Sequence, residues 1–269
     1  MMNDRINAGE FDGSLPFKEF TFVSLINSPE QYDAHFGTLK EAGFRNGSTN
    51  YLYFDNTNEN TYDPYKSYNH ALSISNSDYV IFVHQDTRFV FDGIDDLRRC
   101  LRQLDDLDPN WAVAGNAGGN EDLDKKFIRI SDPSNQNLKC GPFPQKVQTL
   151  DENFLLIKKS SNAAFSNDLS GFHFYGTDLC QQAFFRGYTS YVIDYHIKHL
   201  SSGTKDKTYY DAKSHFINSY KGKLGLRFIR ATTGRMSLCG LKIGSIVFNN
   251  RHILFILRKT RLYKLLKRL

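Results

Sequence analysis

Tyr79-Val80-Ile81-Phe82-Val83 is an unbroken run of β-branched and aromatic residues, and it stops at once in His84-Gln85-Asp86. A run this short, apolar on both faces, predicts a strand in the middle of a covered sheet. Polar groups at the carboxyl end of such a strand stand where open α/β sheets bind ligands. His84 and Asp86 are two apart and share a face of extended backbone. An imidazole and a carboxylate converging there suit a divalent cation, or a group attached to one. The tripeptide also reads as a strand that simply enters a polar loop, and only the rest of the chain separates the two.

The flanking segments repeat the strand-then-helix order. Phe20–Ile26 predicts a strand stopped by Asn27-Ser28-Pro29, and Pro29–Ala42 a helix closed by Gly43. Tyr51–Phe54 predicts a second strand ending in Asp55-Asn56, followed by an Asn-, Thr- and Pro-rich loop to Pro64 and a helix over Tyr65–Ser75. After the central strand, Ile94–Leu107 carries Leu97, Leu101 and Leu104 as the stripe of an amphipathic helix, and Trp111–Gly115 predicts a fourth strand. This β-α-β-α-β order predicts a parallel sheet with covering helices. Further on, Phe127–Ile130, Val147–Leu150, Phe154–Ile157 and Tyr188–Ile193 read as strands, Asp132–Gln145 as loop, and Leu179–Arg186 as a helix stopped by Gly187.

The chain of 269 residues, 40% hydrophobic and 14% aromatic, can bury one sizeable core and is not a disordered composition. Its four cysteines are widely spaced, so neither a zinc site nor a disulfide framework is expected, and a reducing compartment is. The polar, acid-bearing segment Met1–Phe17 does not read as a signal peptide, and no run reaches the roughly 18 apolar residues of a membrane span. The net charge of +5 is unevenly placed: residues 212–269 hold 14 of the 34 Lys and Arg and none of the 29 Asp and Glu. An acidic main domain with a basic extension is a poor nucleic-acid binder and suits an anionic membrane surface. Over Arg251–Leu269 a helix would place Leu254, Phe255, Leu262, Leu265, Leu266 and Leu269 on one face and Arg261, Lys264 and Arg268 on another. Such a helix lies in a membrane interface, unless it packs back on its own domain. The expected organisation is an extension over residues 1–18, a main domain over 19–211 and a basic amphipathic region over 212–269.

Asp55, His84, Asp86 and His199 follow predicted strands, and Asp178 precedes a predicted helix. Parallel strands bring their carboxyl ends together, and transfer of a sugar from a nucleoside diphosphate needs such parts. Positive charge must neutralise the leaving diphosphate, and in an inverting enzyme a carboxylate must take the acceptor's proton. An acid near the second strand can hold the nucleoside.

The sequence resembles an inverting, family-2-like glycosyltransferase of GT-A fold, in particular the streptomycin-biosynthesis-type glycosyltransferase domain. The segments that carry the likeness are Tyr68-Asn69-His70-Ala71, Val80–Asp86, Leu150–Lys159, Phe172–Cys180, Gly187-Tyr188 and His199-Leu200-Ser201-Ser202-Gly203, in the family's order. The resemblance implies a Rossmann-like, mixed but mainly parallel α/β sheet with helices on both faces. His84-Gln85-Asp86 stands where the family has Asp-x-Asp, so Asp86 would reach a Mg²⁺ or Mn²⁺ ion on the diphosphate, completed by His199. Asn27, Asp55, Asn69, His84 and Gln85 would face the nucleotide sugar, and Asp178 would be the catalytic base. The family's Glu-Asp pair would fall near Tyr175-Gly176, which this chain lacks. The acceptor would be a glycan or lipid-linked glycan in bacterial surface-polysaccharide synthesis, and the enzyme would sit on the cytoplasmic face of the membrane.

Blander readings stand beside these. Asp178 also reads as the N-cap of a helix beginning at Leu179, Asp151 as the close of a turn, and His173 and His196 as core histidines. Gly115–Gly119 lacks the following helix of a phosphate cradle. The domain could also be a GT-A-like nucleotide-sugar-binding module that has lost turnover and serves as a membrane-bound assembly partner. A nucleotidyltransferase would need a Gly-rich basic loop after the first strand, which Asn27-Ser28-Pro29 does not supply.

Overall fold

The computed structural model describes residues 4–266 apart from 202, 204, 231 and 234. The chain divides into two compact units, residues 1–212 and 213–269. The first unit opens with β1 (Arg5–Asn7), β2 (Lys18–Ile26), α1 (Pro29–Glu41), β3 (Thr49–Asp55), α2 (Pro64–Ile74) and β4 (Ser77–Val83). It continues through β5 (Thr87–Arg88), α3 (Ile94–Leu107), β6 (Trp111–Gly115), β7 (Ala117–Gly119), β8 (Lys126–Ser131), β9 (Leu138–Cys140), β10 (Gln145–Val147) and β11 (Thr149–Leu150). It closes with β12 (Phe154–Lys158), α4 (Tyr175–Phe185), β13 (Thr189–Val192) and β14 (Ile197–His199). The helix α5 (Lys207–Leu224) carries the chain into the second unit.

Local chemistry sets these boundaries. Ser28 caps α1 through its hydroxyl on the Gln31 N–H, and Asp63 caps α2 through the N–H groups of Tyr65 and Lys66, each with proline as the first helical residue. Gly43, at φ +94°, ends α1 in the left-handed region that glycine adopts without strain. Asp96 closes the start of α3 by accepting the Gly93 N–H.

Eight strands form the main sheet in the order β1-β3-β2-β4-β12-β6-β13-β10. The first four are parallel to one another, as the β-α-β-α-β pattern predicts. β12 runs antiparallel between β4 and β6, and β10 antiparallel on β13, so the sheet is mixed. Alternate residues of β4 face opposite ways. Ile81 and Val83 join a core with Leu39 of α1 and Leu97, Leu101 and Leu104 of α3. On the other face Phe82 stacks on Tyr68 of α2 at 4.2 Å and meets Phe165 edge-on at 5.5 Å. A second, smaller sheet runs β11-β7-β8-β14-β5, with β9 on β8.

Several expectations are corrected. The Asp132–Gln145 span contains β9. The single strand expected over Val147–Leu150 is two, β10 and β11, which belong to different sheets. The helix α4 starts at Tyr175, four residues before Leu179, because Phe174 takes the left-handed capping conformation at φ 66°. Asp178 therefore lies inside the first turn and is not an N-cap.

The second unit holds a hairpin of β15 (Arg227–Arg230) with β16 (Arg235–Leu238), then α6 (Lys242–Asn249), α7 (Arg251–Thr260) and α8 (Tyr263–Leu266). The continuous helix expected over Arg251–Leu269 is broken at Arg261, which adopts φ 60°. Leu254 of the expected lipid-facing stripe is half-buried next to the buried Leu257, so part of that stripe packs inward. Arg268 and Leu269 lie outside the described residues. Among the described residues no helix is long and apolar enough to cross a membrane.

Candidate active site

β4 ends at Val83, and the following turn is fixed on three sides. The His84 N–H donates to Asn153 O at 3.2 Å, tying it to the turn before β12. Thr87 closes the turn internally, its Oγ1 donating to His84 O at 2.8 Å. Gln85 Oε1 accepts the N–H groups of Asn27 and Ser28, both at 3.0 Å, which joins the ends of β2 and β4. The turn enters β5, which pairs antiparallel with β14 so that His199 stands opposite Thr87.

That pairing brings His199 Nε2 to 3.2 Å from Asp86 Oδ1. One ligand atom each from His84, Asp86 and His199 lies within 4.8 Å of the others. The electrostatics are consistent. Burial would raise the Asp86 carboxyl, but the hydrogen bond and charge of His199 outweigh it and hold it well below the usual carboxylate range. Burial opposes protonation of His199, and Asp86 nevertheless raises it above the ordinary imidazole value. His84 is lowered, first by burial and then by the charge of His199, so it keeps a lone pair. Two imidazoles and an ionised carboxylate form a donor set for a divalent cation, which would displace the proton that Asp86 favours on His199.

Beside this cluster opens a cleft of about 380 Å³ at the carboxyl ends of β2, β3 and β4. Asn27, Asn56, Asn60, Gln85, Asp86 and Tyr175 are among its walls. Sheets of this kind bind ligands at that edge. A larger cavity, about 510 Å³, runs along Gln145, Cys180, Phe184 and Ser190, and contains none of the expected site residues.

The expected residues divide. Asn27, His84, Gln85 and Asp86 line the cleft, and His199 joins the cluster. Asp55 is exposed at the end of β3, next to the wall residue Asn56, and its Oδ1 accepts the Thr57 N–H at 2.9 Å. Asn69 is not brought to the cleft: its amide donates to Phe165 O and accepts the Phe165 N–H, both at 2.9 Å. Asp178 is not brought there either. It is 0% exposed, and its two oxygens accept the Ser166 N–H at 2.7 Å and the Ser166 hydroxyl at 2.6 Å. In this structure the Asp178 carboxylate faces Ser166 and is not among the cleft walls.

Two groups not singled out from the sequence lie near the cluster, Tyr175 in the cleft wall and Glu152 beside the start of α4. The Tyr175 hydroxyl lies 2.9 Å from His84 Nε2. Glu152, half-buried, accepts the Gly176 N–H at 3.4 Å where α4 begins. Burial, followed by the charge of Asp151, pushes the Glu152 carboxyl up to about 8. Gly176 must lack a side chain, since a Cβ there would come within 2.4 Å of Leu150 O. Both groups lie in segments that carry the family resemblance, Leu150–Lys159 and Phe172–Cys180, where Asp178 is the more conspicuous acid in sequence.

No family model matches the chain. A Fuscovulum blasticum protein named "ATP synthase subunits region ORF 6" is 32% identical over 226 residues, which cover 82% of this chain and 91% of that protein. The chain belongs to the same family as this ORF 6 protein. The name carries no activity, and the fold says more about the ORF 6 family. S. aureus TarS 1–349 in complex with UDP superposes with a TM-score of 0.51 at 12% identity, over 76% of this chain and 65% of that one. A mannosyltransferase from Pyrobaculum calidifontis, PcManGT in complex with GDP-Man and Mn²⁺, gives a TM-score of 0.49 at 11% identity, over 79% and 67%. The first unit has the GT-A glycosyltransferase fold. The streptomycin-biosynthesis subtype has no counterpart among these likenesses.

Proposed function

We propose that the first unit transfers a sugar from a nucleotide-sugar donor to a hydroxyl of a glycan or lipid-linked glycan, with inversion at the anomeric carbon. The observation that carries this reading is the convergence of His84, Asp86 and His199 beside a cleft at the carboxyl ends of parallel strands. UDP in the complex of TarS, a protein of the same fold, is in keeping with it. Asn27, Asn56 and Asn60 offer amides to the nucleoside, and Asp55 at the rim offers a carboxylate to its ribose. His84, Asp86 and His199 would hold Mn²⁺, which when bound supplies positive charge to the leaving diphosphate.

The acceptor oxygen forms the new bond to the anomeric carbon as the bond from that carbon to the diphosphate oxygen breaks. The acceptor's proton goes to a carboxylate, and the nucleoside diphosphate leaves. With Asp178 enclosed, the base falls to Glu152, whose raised affinity for a proton suits the task. An acceptor carried on lipid would place the enzyme at the membrane surface, in surface-polysaccharide assembly. A binding module without turnover is the second reading, favoured by the burial of Asp178. Donor hydrolysis over a panel of UDP- and GDP-sugars with Mn²⁺ separates the two. Hydrolysis of one donor, lost in Asp86→Ala, supports transfer. Tight binding without hydrolysis supports the module, and binding of none overturns both.

A further inference from the structure

The second unit carries a groove of about 630 Å³ whose walls include Arg235, Arg251, His252, Phe255 and Arg258. Arg251, Phe255 and Arg258 are spaced four and three apart along α7, so a single face of that helix supplies them. Arg235 comes from β16, and Asn249 fixes that strand to the end of α6, accepting the Ser237 N–H at 2.8 Å and donating to Ser237 O at 3.0 Å. Residues 213–269 contain 14 Lys and Arg and no Asp or Glu, so the unit holds no carboxylate side chain to balance this cluster. Like charges gathered without a counter-charge repel, and an anion from outside relieves the repulsion.

The unit also exposes apolar side chains that a globular surface ordinarily covers. Phe255 is 55% exposed and Ile256 54%, beside the arginines on α7. On α6, Ile243 and Ile246 are 77% and 74% exposed and three apart, so they share a side. A dissolved phosphate would answer the charges alone. A bilayer of anionic phospholipid answers both features, with phosphates for the guanidinium groups and an interface for the apolar rings and chains.

We propose that the second unit docks on anionic phospholipid bilayers, with Arg235, Arg251 and Arg258 on lipid phosphates and Phe255 and Ile256 entering the interface. Neither the donor nor the reaction of the first unit enters this inference, so it stands or falls separately. The test is co-sedimentation of the full chain with vesicles of phosphatidylcholine alone and of phosphatidylcholine with phosphatidylglycerol. Binding is expected only with phosphatidylglycerol present, and to weaken as salt rises. Arg251→Gln with Arg258→Gln should weaken it roughly fivefold per cation. Phe255→Ser with Ile256→Ser should weaken it about tenfold or more. All four positions are exposed, and unchanged circular dichroism would exclude unfolding as the cause. Equal sedimentation with both vesicle types, or none with either, overturns the proposal. So does wild-type binding by the four variants combined, capture of an oligonucleotide without capture of vesicles, or self-association that covers Phe255.

Discussion

Asp86 Oδ1 and His199 Nε2 stand 3.2 Å apart because β5 and β14, from opposite halves of the first unit, pair antiparallel. Each group perturbs the other toward its charged form, and His84 completes the set. Asp86→Ala is expected to lose Mn²⁺-dependent nucleotide binding and to lower donor turnover by at least about a hundredfold. Calorimetry with Mn²⁺ and UDP, alongside a thermal melt, checks it. A melt like the wild type with binding intact would remove Asp86 from the site.

Glu152→Gln is expected to lower turnover by about 10²- to 10⁴-fold while nucleotide binding stays the same. The wild-type rate should rise with pH as the carboxyl loses its proton near 8, and the variant should lack that rise. A pH profile of donor hydrolysis for the two proteins reads this out. An unchanged profile would assign the proton to another group.

Asp178→Ala is expected to act on stability, since the Ser166 N–H and hydroxyl would both lose a buried carboxylate partner. The cost should be about 2–4 kcal/mol, seen as a lower denaturant midpoint. Turnover per folded molecule should stay near the wild type. Full stability with abolished turnover would restore Asp178 to the chemistry.

His35 gives the first unit an acid-sensitive point. Burial pushes its imidazole down to about 4, against a partial opposing pull from the Thr87 carbonyl at 2.9 Å. Between about 6.5 and 4 the unfolded chain binds a proton at this residue that the folded chain does not. Stability should therefore fall as pH drops through that window, by up to about 3 kcal/mol from this group. Denaturant unfolding from pH 7 to pH 4 measures it. His35→Gln should be less stable at pH 7 and show a shallower loss.

The helices with capping residues and a clear stripe were readable from the sequence, as α3 shows: Leu97, Leu101 and Leu104 are buried on the side the spacing predicts. The parallel direction of β2, β3 and β4 was readable too, but the reversal of β12 was not. Phe154–Ile157 is apolar on both faces, and such a run looks the same in a parallel or an antiparallel neighbour. Asp178 misled because acidity beside a helix is visible in sequence, whereas the left-handed Phe174 that starts the helix early, and the Ser166 hydrogen bonds, are not. The pairing of Asp86 with His199 followed from the family resemblance. No periodicity in the chain links two residues so far apart.

The reversed direction of β12 has a consequence for how the reaction centre can vary. Because β12 runs against β4, its beginning lies level with the end of β4, and Phe154 pairs with Val83. The short bend Asp151–Asn153 thus stands at the same edge of the sheet as the loops after β2 and β3, but on the other flank of β4. Changes of length in those loops would reshape the nucleoside end and leave Glu152 in place. One extra residue in the bend would misplace the carboxylate while the nucleoside walls stayed intact. On the proposed reading, donor preference and proton transfer are therefore open to separate evolutionary adjustment on a single scaffold.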